Sequence, residues 1–173
     1  MRETFVDSTI NMGFWDPMSC HFYKREIPPP GISSWTKMRL GWIDPSKIKV
    51  VKPGREAEVV LGPLEDGSSE TLAVKIPISE TAYYLIENRQ PVGFDRNLPG
   101  SGVLIMYADD NIPECRRGKA PVKLMNADPS APHFEAATFD IGGKDSFLDN
   151  KNKIRIQLKE KIADSYKILV SFL

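Results

Sequence analysis

Tyr83-Tyr84-Leu85-Ile86-Glu87-Asn88-Arg89-Gln90 opens with four residues that leave neither face of an extended chain polar. Strand side chains alternate between faces, so a run without alternation belongs to a central strand covered on both sides. Val103-Leu104-Ile105-Met106-Tyr107 reads the same way. Outward from these two runs, a period of two takes over. Ile48 and Val50 alternate with Lys47, Lys49 and Lys52, and Ala57, Val59 and Leu61 alternate with Glu56 and Glu58. Leu72, Val74 and Ile76 continue the pattern. Ile154, Ile156 and Leu158 then alternate with charged or amide residues, and Tyr166, Ile168, Val170 and Phe172 close the chain as a last strand. Pro53-Gly54 and Asp66-Gly67 are turn signals between runs. The spacing predicts a mainly β protein, an antiparallel β-sandwich of seven or eight short strands. The stretch 108–150, rich in Asp, Pro and Gly, reads as long loops around one or two short strands such as Val122–Leu124.

One short helix is expected at about 34–41. Ser33 or Ser34 can cap its N-terminus, Gly41 suits its end and Pro45 stops it. Trp35, Met38 and Trp42 recur at helical spacing as one apolar stripe, read as core packing. Before it, residues 1–32 read as an irregular N-terminal arm, because Pro28-Pro29-Pro30-Gly31 suits neither a helix interior nor a central strand. The chain therefore divides into an arm with helix, 1–44, and a sandwich, 45–173, expected to form one compact unit.

Composition narrows the function classes. The 173 residues carry 23 basic and 23 acidic side chains, a formal net charge of zero. Nucleic-acid binding needs a basic excess to displace counterions, so no nucleic-acid partner is expected. No run approaches the roughly 20 apolar residues that span a bilayer, and none has signal-peptide length. The expectation is a soluble protein without a membrane partner; its compartment and oligomeric state stay open. Cys20 and Cys115 could pair or remain free thiols.

Several segments together resemble a known family. Gly13-Phe14-Trp15-Asp16-Pro17-Met18-Ser19 looks like the methionine-containing turn under a zinc-peptidase active site. Ser34-Trp35-Thr36-Lys37-Met38-Arg39-Leu40-Gly41-Trp42-Ile43 follows, then Tyr83 to Gln90, Gly93-Phe94-Asp95 and Leu98-Pro99-Gly100-Ser101-Gly102. In order and approximate spacing these resemble the immune-inhibitor-A-type metallopeptidases, closely over most of 12–107 and loosely over 121–172. The resemblance implies a zinc endopeptidase in which an HExxH helix precedes these segments, two imidazoles holding the metal while the glutamate activates its water. This sequence has two histidines, His21 and His133, and neither lies in an HExxH. What it resembles is the part that follows the zinc helix.

The resemblance thus implies a non-catalytic C-terminal half of a metallopeptidase-like protein: a fragment, a truncated product or one member of a split pair. It would be inactive alone, with no cofactor of its own, zinc belonging only to a complete family member. Met18 matches the turn methionine. Cys20 stands where related zinc-peptidase clans place a supporting tyrosine, and Tyr23 is nearby but out of register. The implied partner is an N-terminal zinc-helix segment docking on residues 10–42, with Phe14, Trp15, Phe22 and Tyr23 exposed to receive it. The alternative is a free-standing β-sandwich binding module for protein or carbohydrate.

Other constellations have plainer readings. Cys20, His21, Cys115 and His133 are all possible zinc ligands, but they lack the close ligand spacing of structural sites. A buried cysteine and a hydrogen-bonded histidine among aromatics is the expected arrangement. Glu87 and Arg89 share one face of a central strand, where they could line a cleft; the plainer expectation is an ion pair or hydrogen-bond network bridging to neighbouring strands. Asp109, Asp110, Asp128 and Asp140 could offer oxygen ligands to calcium, without the spacing of a known calcium loop. Arg116-Arg117-Gly118-Lys119 reads as a solvated loop.

Overall fold

A computed structural model describes residues 11–19, 26–115 and 118–173. The strands are β1 (Ile48–Val50), β2 (Ala57–Leu61), β3 (Ala73–Pro77), β4 (Ala82–Arg89), β5 (Gly102–Asp109), β6 (Val122–Leu124), β7 (Ser146–Asp149), β8 (Ile154–Ile162) and β9 (Ser165–Phe172). Among the described residues one α-helix, α1 (Ser34–Leu40), precedes them. The strands form two sheets, a five-stranded one in the order β1-β3-β4-β5-β6 and a four-stranded one in the order β2-β9-β8-β7. The protein is a mainly β, sandwich-like fold. One departure from the all-antiparallel expectation is β1, which runs parallel to β3. The β1–β2 connection crosses to the other sheet, so the chain enters β3 beside β1 rather than through a hairpin.

The sheets pack face to face around Leu61, Ile76, Ile86, Ile105, Ile156 and Ile168. The second face of the five-stranded sheet is covered as well. Met12, Trp15, Tyr83, Leu85, Leu104 and Met106 form a separate core there, joined by Trp35 and Met38 from α1. This third layer explains why the Tyr83–Ile86 run is apolar on both faces. Every residue of β4 is buried, Tyr84 and Ile86 toward the other sheet and Tyr83 and Leu85 toward the arm and helix. Leu72, expected to share a face with Val74 and Ile76, precedes β3 and packs in the helix-side core instead.

The 108–150 stretch supplies more than loops. Phe139 is fully buried and bridges to Val103, and its ring meets Phe147 of β7 edge-on at 6.2 Å. Tyrosine–aspartate bonds then tie this stretch to the sheets. Tyr84 Oη donates to Asp149 Oδ2 at 2.7 Å, and Tyr166 Oη donates to Asp140 Oδ1 at 2.6 Å. Burial pushes both phenols above their usual range, reinforced by the aspartates. At Asp149 burial pulls upward too, but hydrogen bonds from Asn152, Tyr84 and the backbone outweigh it and hold the carboxyl below its ordinary value. A carboxylate with a depressed folded pKa stabilises above its unfolded pKa and loses that contribution as pH falls through the folded one. Asp149→Asn should therefore lower the urea midpoint at pH 7, and the gap to the parent should close as pH falls below about 4. A gap independent of pH would show that the charge is not what Asp149 contributes.

Helix α1 ends as its sequence suggests. Gly41 adopts φ 70°, and its N–H and that of Trp42 turn back onto Met38 and Lys37 carbonyls. A left-handed residue there costs glycine least. The turn swings Trp42 off the Trp35–Met38 stripe, so Trp42 is 71% exposed, against the expectation that it packs in the core.

Candidate functional site

The 11–19 segment reaches the sheet through a buried polar network centred on Arg89. A strand places Glu87 and Arg89 on one face, and here that face is the one under the arm and helix rather than the intersheet core. Arg89 is fully buried, and all five of its N–H donors are used. Nε and Nη2 make a bidentate pair with Asp95 at 2.6 and 2.7 Å. Nη1 donates to Glu87 Oε1 at 2.9 Å and to the Trp15 carbonyl at 2.8 Å, while Nη2 also reaches the Gly31 carbonyl at 2.8 Å. The ion pair expected between Glu87 and Arg89 thus exists, but it bridges to the arm and the Gly93–Asn97 turn, not to neighbouring strands.

Both carboxylates hold backbone in return. Asp95 Oδ1 accepts the Gly31 N–H at 3.0 Å, and Glu87 Oε2 accepts the Ser34 N–H at 2.6 Å. Burial acts hardest on Glu87 and pushes its carboxyl up, against the opposing pull of Arg89 and Ser34. Burial would lower the Arg89 pKa, but Asp95 and Glu87 outweigh it and raise it, keeping the guanidinium charged.

Asp16 fixes the Met18 turn to the helix. It is 1% exposed. Its Oδ2 accepts from Ser33 N–H at 3.0 Å, Ser33 Oγ at 2.5 Å and Thr36 Oγ1 at 2.8 Å. Its Oδ1 accepts the Met18 N–H at 2.9 Å. Ser33 Oγ in turn receives the Thr36 N–H, so one aspartate anchors both the helix cap and the turn. The Ser19 N–H to Asp16 carbonyl bond and the Met12 N–H to Ser19 Oγ bond close the turn. Below it, Gly13 at φ 53° lies against loop 132–134, where a Cβ would stand 2.6 Å from the His133 carbonyl.

Two side chains on this turn point opposite ways. Trp15, expected as part of an exposed patch, is wholly buried, its Nε1 donating to the Phe134 carbonyl at 2.7 Å. The five-stranded sheet supplies an apolar face that this ring covers. Phe14 is half-buried, its ring edge-on to His133 at 6.2 Å. Met18 is 74% exposed and borders a depression of about 210 Å³ that also touches Asp16, Ser19, Trp35 and Cys115.

Cys20, His21, Phe22, Tyr23, Arg116 and Arg117 lie outside the described residues. Cys115 is a free, exposed thiol 3.7 Å from Asn11 Nδ2, not the buried cysteine expected, because it sits at a loop rim rather than under a sheet. His133 Nδ1 is buried without a hydrogen bond, at a residue of φ 52° whose ring meets Phe14 edge-on; the hydrogen-bonded histidine expected beside a buried cysteine belongs to the Cys20-His21 pair, outside the described residues. No three His, Cys, Asp or Glu side chains converge as metal ligands among the described residues. The four loop aspartates are spread over separate bonds, two of them local (Asn111 to Asp109 and Ser130 to Asp128) and two to strand tyrosines (Tyr83 to Asp110 and Tyr166 to Asp140). No described helix is long and apolar enough to cross a membrane.

Asp16, Asp95 and Thr36 organise the site, yet nothing in their sequence spacing marks them. Asp16 reads as a turn residue before proline, and Asp95 as one element of a short motif. No family model matches this chain, and the comparison with curated proteins gives no match.

Proposed function

We propose that this chain is a non-catalytic docking platform, the part of a zinc-metallopeptidase-like protein that presents the Met18 turn to a separate segment bearing the zinc helix. The observation carrying the proposal is Met18 itself, an apolar side chain 74% exposed on a turn that Asp16 and Ser19 hold in place. A preorganised apolar contact costs little entropy to bind, which suits a receiving surface. Burial of Trp15 narrows that surface to the Met18 side of the turn. It also gives the arm a core of its own, which favours the second reading, a self-contained β-sandwich binding module.

One experiment separates the two. The DNA preceding the Met1 codon is read for an in-frame HExxH, and that segment is made separately and titrated with this chain. Saturable association is expected, weakened at least tenfold by Met18→Asp, with chelator-sensitive hydrolysis of an unfolded protein only in the mixture. Met18→Asp should change stability by no more than about 0.5 kcal/mol, since the side chain is exposed. Absence of such a segment, or association indifferent to Met18, leaves the free-standing module.

A further inference from the structure

We propose that the hollow beside the Met18 turn binds a primary alkylammonium group, its charge set against Asp16 and its carbon chain against the apolar wall. Glu87 and Asp95, the other buried carboxylates among the described residues, share the Arg89 guanidinium. Glu65, at the edge of the same region, takes Lys37 at 2.7 Å. Asp16 departs from this pattern. Its four bonds come from the Met18 and Ser33 amides and the Ser33 and Thr36 hydroxyls, all of them neutral donors. Neutral donors make the burial of a carboxylate tolerable, but they leave its net charge unmatched. Arg39, one turn along α1 from Thr36, is engaged elsewhere, 3.6 Å from Asp110 and over the Trp35 ring at 4.7 Å.

The unmatched carboxylate lines the hollow of about 210 Å³. Its Oδ2 already takes three donors, whereas Oδ1 takes only the Met18 N–H and has acceptor capacity left. Ser19 Oγ lines the same hollow and, after receiving the Met12 N–H, can accept once more. An ammonium brings three donors and no acceptor, so it suits these two oxygens, while an anion would be repelled by Asp16. Met12, Met18, Trp35 and Val122 supply the apolar wall. A methylene chain on such a wall, with its charged head at a polar end, is the way lysine stems are buried. The volume is below the roughly 300–1,000 Å³ of pockets for drug-sized ligands, so the occupant is one unbranched chain. This inference does not rest on the docking reading: a free amine should bind whether or not a zinc-helix segment exists.

The test titrates the full chain with n-pentylamine at pH 7, following the Met18 amide and the Trp35 indole N–H by nuclear magnetic resonance. Saturable binding on the order of 1 mM is expected for so small a ligand, at least tenfold tighter than for n-pentanol or pentanoate. Asp16→Asn should abolish the advantage of the amine over the alcohol. Because Asp16 also holds the helix cap, a second variant keeps the test independent of folding. Cys115→Trp, at the exposed rim, should melt like the parent and weaken pentylamine at least fivefold. Nα-acetyl-lysine methylamide carries the same group: tighter binding than pentylamine would assign the site to a lysine of a protein segment, weaker binding to a free amine. No saturable binding of pentylamine would overturn the proposal. So would equal affinity for pentanol, which would leave an apolar hollow only, or amine binding unchanged in Cys115→Trp, which would place it elsewhere.

Discussion

Arg89→Met is expected to destabilise the protein by about 3–5 kcal/mol, a large share of the roughly 5–15 kcal/mol available to a folded domain. The loss comes less from the missing bonds than from what they leave behind. Glu87 and Asp95 would remain buried without their shared cation, and the carbonyls of Trp15 and Gly31 would lose a donor. Arg89→Lys should rescue only part, because an ammonium has three donors where the site uses five in a planar fork. The pH dependence has a definite sign. A buried carboxyl whose folded pKa lies above its unfolded value keeps its stability contribution below the unfolded pKa and loses it as pH rises through the folded one. Glu87 is already pushed up by burial, and losing Arg89 removes the main opposing pull. The Arg89→Met deficit should therefore be largest near pH 7–8 and shrink toward pH 4–5, as urea midpoints across that range would reveal. A deficit below about 1 kcal/mol would mean the network is not sealed from water.

Trp15→Ala is expected to cost about 3–5 kcal/mol, the range for removing a fully buried large aromatic. Its ring lies in the helix-side core, with Gly100 close enough that a Cβ there would sit 3.8 Å from the ring. The Phe134 carbonyl would also lose its partner. For a chain of this length each kcal/mol moves the melting temperature by roughly 2–4 °C, so a fall near 10 °C is expected in a thermal scan. Met18→Ala, three residues on, should leave it almost unchanged. Equal effects at the two positions would contradict the inward and outward assignment of the turn.

The sheets were legible in the sequence because their signal is local. Alternation at Ala57–Leu61 and Ile154–Leu158, and its absence at Tyr83–Ile86, report which faces are covered. What covers the second face of β4 is not a local property. Trp15 on an irregular arm reads equally well as an exposed patch or a core anchor, and only the contact with β4 and β5 decides. Trp42 failed for a related reason: helical spacing assigns it to the stripe, but the left-handed Gly41 ends the helical period one residue earlier. Parallel pairing of β1 with β3 is a matter of connection, which periodicity does not encode. The Glu87–Arg89 pair was visible as a period-two couple, whereas Asp95 and Asp16 join it from turns whose position depends on the whole fold.

On this reading the Met18 turn is held by the domain's own core as a preformed surface. Native-state hydrogen exchange tests it most directly, at the Gly31, Ser33 and Ser34 amides, which donate to Asp95, Asp16 and Glu87. If the arm is integral, these amides should exchange only through global unfolding, with the same opening free energy as the amides of β4 and β5. Exchange through a local opening several kcal/mol cheaper than global unfolding would show that the arm detaches by itself and that the Met18 turn is not preformed.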